Sequence, residues 1–183
     1  MKKAAIFFGT GYEEIEALTV VDLLRRAGIE ATCVSIDNEP YVTGSHNVCV
    51  KMDAKIDELD FDSYDILVCP GGMPGTKNLE ACKTLTDKLQ AFYDAGKPIG
   101  AICAAPSIFG HMGFLKGKKA CIFPGMEAEL EGAEVVYDKV VKADNIITSR
   151  GMGTAIAFGL EIVANLLDRE TADALAKKIV YLQ

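Results

Sequence analysis

Apolar residues along the chain fall into two alternating patterns. Short, nearly continuous runs such as "KAAIFFG" (3–9), "IEATCVSI" (29–36), "YDILVCPGG" (64–72) and "KPIGAI" (97–102) read as strands. Between them, apolar positions recur every three or four residues, as helices require. "YEEIEALTVVDLLRRAG" (12–28) and "TKNLEACKTLTDKLQAFYDAG" (76–96) are the clearest, each closed by a glycine. "PYVTGSHNVCVKM" (40–52) predicts a hairpin around residues 44–47. After "KPIGAI" come a helix following Cys103, the apolar "KACIFP" (119–124) and a β-rich acidic stretch at 127–148. "GTAIAFGLEIVANLLD" (153–168) and a last segment at 170–181 predict two closing helices. Strands apolar throughout and separated by helices predict an α/β fold, its mostly parallel sheet covered on both faces. Ligands bind such sheets beyond the carboxyl ends of the strands. That rule selects three loops: 9–14, 70–75 and 102–106.

The length, 183 residues, suits one domain over 1–183. The chain is 50% hydrophobic and 25% charged, which is globular composition. Its net charge of −7 argues against nucleic acid or an anionic membrane surface as partner. The apolar stretch after Lys2 and Lys3 is interrupted by glycines and acids, too early for a signal peptide or a membrane span. Six cysteines at wide, irregular gaps, without a C-x-x-C, fit reduced thiols and a cytoplasmic address better than a disulfide framework. Two histidines among these cysteines make no zinc spacing, so no metal is expected.

"GTGYEE" (9–14) imitates the start of a dinucleotide fingerprint, with Asp37 closing the second strand. Position 14, however, is glutamate rather than glycine, and Glu13, Glu14 and Glu16 would repel a pyrophosphate at that helix start. At about 100° per residue, Glu16 falls among Val20, Leu23 and Ala27 on the apolar arc. Glu14 and Asp22 fall on the polar sector with Arg25 and Arg26, and are expected to face water. A carboxyl placed inward has a raised pKa and holds its proton near neutrality. Ile15 and Leu18 lie on the polar side, either as isolated exposed apolars or as part of a dimer contact.

"CPGGMPG" (69–75) offers backbone N–H groups from Gly71 and Gly72 for an oxyanion, although a flexible turn explains the glycines equally well. In "GAICAAPSIFG" (100–110), Cys103 stands where a strand meets a helix, with Ala101 and Ala105 leaving room for a sharp turn. The following helix is expected to favour thiolate. Cys33, Cys49, Cys69 and Cys121 lie in apolar strand patterns and Cys82 on a helix, so these five read as packing residues. His111 sits some eight residues down the same helix and His46 in the hairpin, which leaves Glu16 as the partner best suited to Cys103.

Taken in order, "GTGYEEIEA", "VVDLLRRAGIE", "YDILVCPGGMPG", "GAICAAPSIFG", "IFPGME" and "TSRGMGTAIAFGLEIV" resemble the DJ-one/ThiJ/PfpI superfamily, in the branch of the parkinsonism-associated protein. The resemblance implies a flavodoxin-like three-layer sandwich with a small β-hairpin, a homodimer and no cofactor. It implies a nucleophilic, oxidation-prone Cys103, a carboxylic acid on its sulfur at Glu16, and an oxyanion pocket of Gly71, Gly72 and the Ala104 backbone. The activity it implies is conversion of small reactive carbonyls such as methylglyoxal or glyoxal to hydroxy acids, or deglycation of early adducts. The alternatives are a redox sensor or chaperone whose cysteine becomes a sulfinate and, more remotely, an amidase or peptidase. Two departures stand out. Phe123 replaces a pocket histidine that some members carry, and His46 replaces an arginine, so a pocket anion would meet a weaker, pH-dependent cation.

Overall fold

The computed structural model describes residues 1–181. In chain order, the strands are β1 (Lys3–Phe8), β2 (Glu30–Ser35), β3 (Tyr41–Thr43), β4 (Cys49–Lys51), β5 (Ala54–Lys55), β6 (Ile66–Cys69), β7 (Ile99–Ile102), β8 (Lys119–Ala120), β9 (Glu134–Val135), β10 (Val140–Ala143) and β11 (Ile146–Ser149). The helices are α1 (Glu14–Arg26), α2 (Gly75–Ala81), α3 (Lys83–Asp94), α4 (Pro106–His111), α5 (Ala155–Leu166) and α6 (Arg169–Lys178). Seven strands form the central sheet in the order β10-β11-β7-β6-β1-β2-β5. It is parallel except for β10, which runs antiparallel to β11. β3 and β4 form the expected hairpin, and β8 pairs with β9 outside the main sheet. Residues 182 and 183, the end of the expected 1–183 span, lie outside the described residues.

Alternation along β1 divides the core into two layers. Ala4, Ile6 and Phe8 pack with α1, α5 and α6 side chains such as Leu24, Phe158 and Leu175. Ala5 and Phe7 face the other way, toward Leu85, Leu89 and Phe92 of α3 and Phe109 of α4. This is the flavodoxin-like three-layer arrangement: a strand with period 2 buried on both sides is apolar at every position. α1 and α5 approach closely at Gly159, where an added Cβ would come within 2.6 Å of the Leu23 side chain.

The segment expected as one helix at 76–96 is two. Cys82, extended at φ −77° and ψ 98°, separates α2 from α3. In one straight helix, Leu79 and Leu85 would point about 120° apart. The break turns both inward, and each is fully buried. Among the described residues, no helix is long and apolar enough to cross a membrane.

Candidate active site

β1, β6 and β7 lie side by side, so the loops after them meet at one end of the sheet. These are the three loops that the strand pattern selects. At the end of β7, Cys103 takes φ 64°, the left-handed region, which a residue with a side chain adopts at a cost of about 1–3 kcal/mol. The strain is held from both sides. The Cys103 N–H donates to the Ser149 carbonyl of β11 at 3.0 Å, and the Phe123 N–H donates to the Cys103 carbonyl at 2.9 Å. Ala101 and Ala105 are fully buried against the turn, where larger side chains would crowd it. The sulfur is half-buried and reachable.

Glu16, in the first turn of α1, is 1% exposed and turns inward as its place on the helical arc requires. The Gly71 N–H donates to its Oε2 at 3.0 Å, and its carboxyl shares a hydrogen bond with the Cys103 sulfur. Gly71 has no room for a side chain: a Cβ there would lie 2.6 Å from the Cys103 Cβ and 2.7 Å from Glu16 Oε2. Gly72, at φ 92°, and Ala104 direct backbone N–H groups toward the sulfur. Gly71 therefore positions the acid, and the N–H donors at the thiol are those of Gly72 and Ala104.

Burial pushes the Glu16 carboxyl up from 4.5 to about 7, against the lowering effect of its hydrogen bonds. Burial and the adjacent Glu16 charge push the Cys103 thiol up to about 12, with the Ala104 and Gly72 N–H groups opposing. The thiol pKa is not low as the sequence position suggests: α4 has six residues and begins three positions beyond Cys103, and burial together with a carboxylate in contact outweighs what so short and distant a helix offers a thiolate. The two groups titrate as a pair. When Glu16 takes the proton, the repulsion vanishes, and the carboxyl can donate to sulfur alongside the two backbone N–H groups.

Several sequence expectations change around this pair. Glu14 does not face water: it is 7% exposed because the tip of the β3–β4 hairpin covers the sector that the helix alone leaves polar. It accepts from the His46 N–H at 2.7 Å and meets His46 Nδ1 at 3.1 Å and Ser45 Oγ at 3.3 Å. Burial opposes its charge, but these bonds and those of its own and the Val48 backbone hold its carboxyl down at about 2. His46, raised by that same carboxylate and by Glu13, is thus a hairpin fastener with its ring engaged by Glu14. Glu13, Glu14 and His46 each bring a possible ligand atom within 4.8 Å of the others, and the hydrogen bonds within the cluster account for that grouping. His111 ends α4 as expected, bridging Glu80 at 2.6 Å and Glu129 at 2.8 Å. Cys33, Cys69 and Cys121 are buried as packing residues should be, whereas Cys49 is exposed on the hairpin and Cys82 is half-buried at the helix break.

The sequence pattern of the DJ-1/PfpI family matches residues 2–165. The chain belongs to the DJ-1/PfpI family. Protein dj-1beta of Drosophila melanogaster is 35% identical over 181 residues, covering 98% of this chain and 97% of that protein. The Caenorhabditis elegans protein named glutathione-independent glyoxalase DJR-1.2 is 32% identical over 168 residues, covering 91% of this chain and 89% of that protein. Protein DJ-1 homolog B of Arabidopsis thaliana is 38% identical over 168 residues, 91% of this chain but only 38% of its own length. This chain therefore spans well under half of that relative. Among solved structures, oxidized Toxoplasma gondii DJ-1 superposes with a TM-score of 0.95 at 33% identity, covering 100% of both chains.

In this DJ-1/PfpI chain, the loop after β11 adds a wall that the strand pattern did not single out. β11 pairs with β7, so its end also opens on the site. A Cβ at Gly151 would stand 3.5 Å from the Phe123 ring and 3.8 Å from Glu16 Oε1. The glycine in "TSRGMG", directly after an apolar strand, is the signal that marks this fourth loop. A concavity of about 630 Å³ lies elsewhere: it runs along α1, lined by Ile15, Leu18, Val48, Ile156 and Ile179 together with Glu14, Asp22 and Arg26.

Proposed function

We propose that this chain is a cysteine-dependent enzyme converting small α-oxoaldehydes such as methylglyoxal to 2-hydroxy acids, with water as the only co-reactant. The observation that carries the reading is the contact between the strained Cys103 sulfur and the buried Glu16 carboxyl. The Cys103 thiolate adds to the aldehyde carbon, and the carbonyl oxygen takes the Glu16 proton, giving a hemithioacetal. The Glu16 carboxylate then removes the hydrogen from that carbon and returns it to the neighbouring carbonyl carbon, while the hydroxyl proton passes to that carbonyl's oxygen, leaving a thioester of the hydroxy acid. Water cleaves the carbon–sulfur bond, releasing the acid and restoring the thiol. Gly72 and Ala104 are the N–H donors available to negative charge on sulfur or oxygen. The glyoxalase name of the C. elegans relative supports the same class of substrate. Deglycation of an early adduct would use the same addition on a tethered carbonyl.

Incubated with methylglyoxal and no added thiol, the purified chain is expected to form lactate, read by proton NMR. A second reading rests on the same donors: two N–H groups and a protonated Glu16 suit a cysteine sulfinate, so Cys103 would act as a redox sensor or the switch of a chaperone. Uptake of two oxygens at Cys103 under peroxide, read by intact mass, with no lactate formed, would favour that reading over turnover. Amide hydrolysis finds less support, since the ring partners of both histidines include carboxylates.

We further propose a homodimer through the α1 groove. Ile15 is 49% exposed beside Leu18 and the hairpin's Val48, an apolar strip that water covers poorly. Sedimentation velocity is expected to give twice the chain mass of 19.6 kDa, and Leu18→Asp to give the single mass. A single-mass wild type would remove the proposal.

A further inference from the structure

We propose that Phe123 sets the specificity of the Cys103 site, directing it to α-oxoaldehydes that carry an apolar, above all aromatic, substituent. The inference rests on the carbonyl reading above and concerns the part of the substrate that does not react. Phe123 is 47% exposed, and its backbone N–H is bonded to the carbonyl of the nucleophilic residue itself. Its ring and the Glu16 carboxylate border the same bare position at Gly151, 3.5 Å and 3.8 Å from where a Cβ would stand. A carbonyl carbon held at the sulfur and served by Glu16 therefore has the ring beside the gap where its substituent must go.

Two exposed apolar side chains adjoin the loop glycines in the chain: Met73 follows Gly72 and Met152 follows Gly151, and they are 45% and 53% exposed. Cations that would otherwise favour a charged substituent are engaged. Arg150, next to Gly151, donates to the Tyr137 carbonyl at 3.2 Å and lies over the Tyr137 ring at 5.7 Å. His46 is fastened to Glu14. A phenyl substituent can stack on or edge against Phe123. A sugar-like substituent would desolvate its hydroxyls against the same surface without partners.

The test compares kcat/KM for phenylglyoxal and methylglyoxal in wild type, Phe123→Leu and Phe123→Ser, each checked for native circular dichroism. Wild type is expected to favour phenylglyoxal by about tenfold or more, the size of an added aromatic contact and its buried area. Phe123→Leu should narrow that ratio and Phe123→Ser bring it close to one. A ratio that both variants leave unchanged overturns the inference. A second measurement needs no turnover: acetophenone, but not acetone, should slow iodoacetamide labelling of Cys103 in wild type and fail to do so in Phe123→Ser. Acetophenone protection without turnover of either aldehyde would remove the enzymatic reading and leave the apolar recognition by Phe123 standing. Absence of both protection and ratio change overturns the role of Phe123 whatever the turnover.

Discussion

Replacing Cys103 by serine abolishes methylglyoxal consumption, with kcat/KM lower by on the order of 10³-fold or more, while Cys33→Ser and Cys49→Ser keep the wild-type rate. The contrast rests on why each sulfur is protonated. Burial pushes Cys33 and Cys69 up to about 12, and nothing in the site's chemistry lifts that burial. Cys103 is also raised to about 12, but a distinct part of its rise comes from the Glu16 charge, which a single proton removes. What remains is a half-buried sulfur with two backbone N–H donors on a turn that holds it toward the cleft. Serine keeps the size and the hydrogen bonds but loses the acidity and nucleophilicity of sulfur. Loss of the dicarbonyl followed over time, with all three variants at equal concentration, measures the effect. Equal loss in Cys103→Ser and Cys33→Ser, or no loss in either, would sink the assignment of Cys103 as nucleophile.

Much of this site is written in local pattern, and what is not depends on contacts between distant segments. The Cys103 turn is legible because a strained strand-to-helix corner demands small neighbours, and Ala101 and Ala105 supply them. Glu16 is legible because a helix fixes direction at about 100° per residue, and its arc is otherwise apolar. Glu14 misleads for the same reason. Its sector is polar on the isolated helix, but a hairpin some 30 residues further along folds over it and supplies its partners. Gly71 misleads in a similar way: a glycine pair advertises free N–H groups, but only the approach of α1 shows that one of them is taken by Glu16. The thiol pKa is not legible in the sequence, because helix position is local, whereas desolvation and a facing carboxylate belong to the assembled site. The break at Cys82 leaves no local mark, since neither glycine nor proline is there and the gain comes from burying Leu79 and Leu85 together.

Glu16→Gln should separate activity from stability in opposite directions. Glutamine fits the same space and can still accept from the Gly71 N–H, but it neither donates a titratable proton nor removes one. Turnover of methylglyoxal is expected to fall by about 10²–10⁴-fold, the usual contribution of a general acid–base group. In wild type, the rate of the first addition should decline as pH rises through about 7, where Glu16 loses the proton that the carbonyl oxygen needs. Stability follows the same titration. The carboxyl pKa is raised from 4.5 to about 7 in the folded protein, so the folded state binds a proton that the unfolded chain has released. The corresponding stability is fully present below pH 4.5 and is lost as pH rises through about 7. Glutamine has no such loss, because no buried charge forms. At pH 8 the variant should therefore resist urea better than wild type, by on the order of 1–3 kcal/mol, and the gap should shrink at pH 5. Alkylation of Cys103 by iodoacetamide should shift to lower pH in the variant, since the repelling carboxylate is gone. A variant with wild-type turnover, or one no more stable than wild type at pH 8, would show that Glu16 holds its charge without strain and merely packs beside the sulfur. The outcome expected instead is the mark of a group kept for chemistry: a carboxyl that destabilises the fold where it ionises, in contact with the sulfur at which it moves a proton.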